Sequence, residues 1–136
     1  MKLDLHFDEF YPHPRETVWR AITDPKALAA WLMPNDFEPQ VGRRYSMKRE
    51  PPPPLPHGTV KCEVLALEPP SRMVWSWIHN EGDEPGRVEF RLQEVEGGTR
   101  LTLSHTGEID ELTGTRLREG WPGKLADLRT VLNQLP

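Results

Sequence analysis

Between Arg72 and His105 the chain runs through three period-two segments, "RMVWSWIH", "GRVEFRLQEV" and "GTRLTLSH", joined only by the turn-rich links "HNEGDEPG" and "EGG". Neither link is long enough for a helical crossover, so these strands must pair antiparallel, each beside the next. Successive side chains on a strand point to opposite faces. One face therefore collects Met73, Trp75, Trp77 and His79, then Val88, Phe90 and Leu92, then Leu101, Leu103 and His105. Each indole buries ~200 Å², so at ~25 cal/mol per Å² the pair Trp75 and Trp77 represents roughly 10 kcal/mol, an upper bound because an unfolded chain already hides part of it. An apolar layer has to cover that face.

Further strands precede these three. "RRYSMKRE" sets Tyr45 and Met47 on one side with Arg49 beyond them, between a glycine and a run of prolines. "GTVKCEVLALE" groups Val60, Cys62 and Val64 before Leu65 and Leu67 take the other parity, which predicts a bulge or a stretch buried on both faces. Near the start, "LDLHF" alternates Leu3, Leu5 and Phe7 against Asp4 and His6.

Two short helices are predicted after that first strand. One runs from about Pro14, at the first helical position, to Thr23. The next is capped by Asp24, starts at Pro25, carries Leu28, Trp31 and Leu32, and ends at Pro34. The terminal "GWPGKLADLRTVLNQL" returns to helical period, with Trp121, Leu125, Leu128, Leu132 and Leu135 on one stripe and Leu117 extending it backwards. Pro122 would delete a helical bond at a cost of ~3 kcal/mol, so this helix either starts at Trp121 or kinks there. From Gly120 to Leu135 it would span ~24 Å, the width of about five strands, and is expected to cover the tryptophan face.

Composition excludes several classes. With 136 residues, 36% of them hydrophobic, the chain fits one domain, 1–136. A net charge of -4 with scattered cations argues against nucleic acid as a partner. No apolar run approaches the ~18 residues of a membrane span, and the acidic, alternating start is unlike a secretion signal, so a cytoplasmic location is expected. The lone Cys62 reads as a small core residue in a reducing compartment. "PPPPLP", residues 51–56, reads as a stiff loop between strands.

Residues with chemical potential are few. His79, His105 and Arg49 close their inward sets, where they would orient a polar head or, for the histidines, move protons. His6, His79 and His105 lack zinc-ligand spacing. No serine sits on a strained elbow, no glycine-rich phosphate loop occurs, and the carboxylates at Asp83, Glu84, Glu108, Asp110 and Glu111 fall in solvated turns or an early helix. Trp19 and Trp31 read as core, as do Leu125, Leu128 and Leu132, with cavity lining as the second role for Trp19, Trp31, Leu125 and Leu128.

The stretches "PHPRETVWRAITDPKALAAWLMP", "EPPSRMVWSW", "GGTRLTLSHTG" and "GWPGKLADLRTVL" together resemble the Hsp90 ATPase activator homologue family, within the START and birch-pollen-allergen-like superfamily. The resemblance implies an α+β helix-grip fold: a bent antiparallel sheet of about six or seven strands around a long C-terminal helix, with two short helices after the first strand. It also implies an apolar cavity between sheet and helix. The residues expected to line it are Tyr45, Met47, Val60, Cys62, Met73, Trp75, Trp77, His79, Phe90, Leu103, His105, Trp121, Leu125 and Leu128. No catalytic residue, metal or cofactor is assigned. The expected function is binding of a hydrophobic or aromatic small molecule by a monomer or homodimer. The alternatives are a cyclase- or hydrolase-type enzyme using His79, His105, Tyr45 or Arg49, and a chaperone-associated module with a part in the stress response.

Overall fold

The computed structural model describes residues 2–49, 58–79 and 84–135; the proline run, the middle of the "HNEGDEPG" link and the side chain of Arg49 lie outside them. In chain order the elements are β1 (Lys2–Tyr11), α1 (Arg15–Thr23), α2 (Pro25–Trp31), β2 (Arg44–Arg49), β3 (Gly58–Glu68), β4 (Arg72–Ile78), β5 (Gly86–Val95), β6 (Gly98–Glu108) and α3 (Glu111–Gln134). The strands form one curved antiparallel sheet in the order β1-β6-β5-β4-β3-β2. Five of these strands follow one another as a meander. β1 breaks the sequence by closing on β6, with Leu5 opposite His105 and Tyr11 opposite Thr99.

The alternation read from the sequence sets this register. Tyr45 stands opposite Cys62, Cys62 opposite Trp77, Trp75 opposite Val88, and Val88 opposite His105, so all five inward sets share the concave face. The change of parity in β3 is a bulge: the register shifts between Val64 and Ala66, and Leu65 turns out toward solvent. Beyond it, Leu67 returns to the core side opposite Met73.

The helices differ from expectation at their ends. Pro14 has ψ of 150° and stands just outside α1 as its N-cap. Asp24 occupies the N-cap of α2 without a side-chain bond, and α2 stops at Trp31, short of Pro34. Of the two courses left open for α3, a start at Trp121 or an earlier start with the proline inside, the structure has the second, and α3 starts at Glu111. Asp110 provides the start by accepting the Thr113 N–H at 3.0 Å, while the Thr113 hydroxyl donates to the same carboxylate at 2.7 Å. Pro122 lies inside the helix. Its missing N–H leaves the Arg118 carbonyl without a helical bond, but Trp121 on one side and Leu125, Leu128 and Leu132 on the other bury a continuous stripe, worth more than the loss. The 24 residues span ~36 Å, and α3 packs on α1, α2 and β1.

Candidate functional site

Most of the space between sheet and helix is filled by side chains. Met47, Met73, Trp75, Phe90, Leu103, Leu125 and Leu128 are each at most 1% exposed. Trp75 is enclosed by aromatic rings. Its ring packs among Phe90, Tyr45 and Phe37, with centroids 4.9, 5.5 and 5.7 Å away. Phe37 comes from the irregular segment between α2 and β2 and plugs this end of the groove.

Trp77 behaves differently. Its ring lies 5.8 Å from Trp121 on α3 and 5.0 Å from His105 on β6, and it forms the floor of an open apolar cleft of 120 Å³. Leu32 and Met33, Val60, Leu117 and Trp121 make the walls, while Gly58, Thr59, His79, Arg116, Gly120 and Lys124 complete the lining. Gly120 faces the open space: a Cβ placed there would have no atom within 4 Å. The indole Nε1–H of Trp77 is buried and has no acceptor among the described residues. A void of ~150 Å³ accommodates benzene, so this cleft has room for about one ring, with the remainder of a larger molecule extending through the mouth.

His105 is committed to structure. Trp121 donates its indole N–H to Nδ1 of His105 at 3.0 Å, which assigns the ring proton of the neutral imidazole to Nε2. Burial, reinforced by nearby His79, lowers its pKa from 6.5 to about 4, so at neutral pH it is uncharged. It fixes the middle of α3 on the sheet and is a poor proton carrier at neutral pH. Tyr45 sits on β2, four strand steps from β6, roughly 19 Å along the sheet at ~4.8 Å per step. Its hydroxyl neighbours the Cys62 thiol, and burial raises both groups, the thiol to about 12. His105 and Tyr45 therefore do not converge. His6 points away from the core and pairs with Asp4 at 2.7 Å, and among the described residues no three His, Cys, Asp or Glu side chains gather as a metal site.

The family model for activator of Hsp90 ATPase homolog 1-like protein matches residues 12–133, nearly the whole chain and all of the cleft. The chain belongs to that family. Solved structures similar to this activator-homologue domain include protein MLL2253 from Mesorhizobium loti, at 29% identity and a TM-score of 0.88 over 98% of each chain. CalU16 from Micromonospora echinospora is 26% identical with a TM-score of 0.78, over 96% of this chain and 76% of that one. Protein CV1439 from Chromobacterium violaceum, at 21% identity, shares the fold with a TM-score of 0.87 over 98% of this chain and 99% of that one. No curated protein matches the chain. No helix among the described residues of this family member is long and apolar enough to cross a membrane.

Of the residues named from the sequence, the structure brings Val60, Trp77, His79 and Trp121 to the cleft. Met47, Met73, Trp75, Phe90, Leu103, Leu125 and Leu128 lie in packed interior. Tyr45 and Cys62 are buried near the β2 edge, and His105 is buried behind Trp77. Arg116, Leu117, Gly120 and Lys124 were not among the expected lining residues: only Leu117 was placed on the apolar stripe, and the course of the helix before Pro122 was left open.

Proposed function

We propose that this protein is a small binding protein that takes one ring or short chain of a hydrophobic or aromatic molecule into the cleft between β3, β4 and α3. The supporting observation is the meeting of Trp77 and Trp121 around an opening beside a glycine that leaves it unfilled. Two indoles hold a flat apolar group by stacking and burial, while the solvent-facing mouth lets the rest of the molecule remain outside. The volume is below the 300–1,000 Å³ usual for a fully enclosed ligand, so the reading is of partial engulfment, with millimolar to micromolar affinity. The lone, buried Cys62 is compatible with residence in the cytoplasm.

The test is a titration of the purified protein with neutral aromatics such as indole and naphthalene, followed through tryptophan fluorescence and melting temperature. Saturable changes are expected, and their loss in Gly120→Phe, where the new ring occupies the opening. A flat response to aromatic and aliphatic compounds alike would end the reading. The chaperone-linked alternative rests on the family description, and stimulation of Hsp90 ATPase turnover by this chain is its test.

A further inference from the structure

The rim of the cleft carries charge of one sign. Arg116, Gly120 and Lys124 follow one another at four-residue steps along α3, so the two cations stand one turn, ~6 Å of rise, to either side of the glycine and on its face. Among the described residues lining the cleft there is no carboxylate. Nor does either cation form an ion pair with a described residue, whereas Arg72, Arg100 and Arg129 are engaged by Glu68 and Glu89, Asp8, and Glu9. Apolar walls and two cations without an ion pair among the described residues, above a bare glycine, form a complementary surface for an amphiphilic anion.

We infer that the cleft selects a small-molecule carboxylate borne on an aromatic ring or short alkyl chain, the apolar part against Trp77 and Trp121 and the carboxylate over Gly120 between Arg116 and Lys124. This rests on the binding reading above and adds to it the chemical class of the ligand. Neutral molecules of the same shape would satisfy the walls but leave both cations and their hydration unchanged, which is the physical source of discrimination.

The experiment compares 4-phenylbutyrate with 4-phenylbutanamide, which has the same skeleton and no charge, by calorimetry and by the indole N–H resonances of the full chain. The acid is expected to bind at least ten-fold more tightly than the amide, to shift the Trp77 indole signal, and to weaken as salt is raised. The double variant Arg116→Gln, Lys124→Gln should reduce acid binding to the level of the amide. Lys61→Gln, which removes a cation from the outer face, should leave it unaltered. Gly120→Leu should remain folded and lose the acid. Equal binding of acid and amide would overturn the anion selectivity and leave the cleft as a general apolar site. Absence of binding by both would remove the cleft as a site as well, and undiminished acid binding by Gly120→Leu would place the carboxylate elsewhere and end the inference.

Discussion

Tyr11 donates its hydroxyl proton to the carbonyl oxygen of Leu125 at 2.9 Å, tying the last residue of β1 to the middle of α3. The ring is fully buried, and the Arg129 guanidinium lies 4.7 Å from its centroid. Burial raises the pKa of this hydroxyl well above its ordinary value, so it stays a donor throughout the working pH range. Tyr11→Phe keeps the ring and its cation contact but deletes the bond, and should lower unfolding free energy by about 1 kcal/mol. Tyr11→Ala also loses the ring and should cost about 3–5 kcal/mol. Urea titrations of both variants check the pair; equal midpoints for Tyr11→Phe and wild type would show that the bond contributes nothing.

Stability should fall on mild acidification because of His105. Its folded pKa is about 4 against 6.5 for the free side chain, so between these values the unfolded chain binds a proton that the folded one refuses. The contribution is complete above pH 6.5, declines as pH falls toward 4, and reaches at most about 3 kcal/mol. His105→Asn retains an acceptor for the Trp121 indole and does not titrate. Unfolding free energies measured from pH 4.5 to 7.5 should therefore slope less in the variant than in the wild type; parallel curves would mean that other groups carry the dependence.

Two glycines should respond to alanine with opposite sign. At Gly98 a Cβ would lie 2.2 Å from the Tyr11 carbonyl oxygen and 2.9 Å from the Pro12 Cα, and this backbone cannot retreat without breaking the β1–β6 pairing. Gly98→Ala should cost more than about 3 kcal/mol. Gly123 in α3 meets nothing within 4 Å, and Gly123→Ala should gain up to about 1 kcal/mol from helix propensity. Thermal melts of the two variants should move apart, down for the first and up for the second.

Cys62 should be chemically silent while the chain is folded. Its thiol is buried opposite Tyr45 and its pKa is pushed up to about 12, so almost no thiolate exists at pH 8. A disulfide reagent at that pH should label the protein rapidly only in denaturant. Fast labelling of the native protein would show that the β2–β3 edge opens.

The sheet was legible because each strand buries one face, so alternation alone determines which side chains look inward and a slip by one residue would expose them all. The β3 bulge left an equally direct trace in the parity of Leu65 and Leu67. Periodicity names a face but not the volume left over it, and for that reason Trp75 and Trp77, identical in pattern, have different fates: Phe37 covers one, and a cleft adjoins the other. Phe37 was invisible because its segment has no period. The start of α3 stayed open between Trp121 and an earlier turn because Pro122 carries a local penalty, which the cap at Asp110 and the buried stripe on both sides of the proline outweigh. With that start undecided, the sequence did not single out the alignment of Arg116, Gly120 and Lys124.

The pairing of β1 with β6 governs the order in which the molecule is completed. Among the described strands β1 pairs with β6 alone, about a hundred residues further along the chain, so Leu3 and Leu5 gain a partner strand only through a contact of long sequence separation. Closure of the sheet is then a late, long-range step. Until then the β6 edge that β1 covers, and the inward side of Leu3 and Leu5, stay open to water.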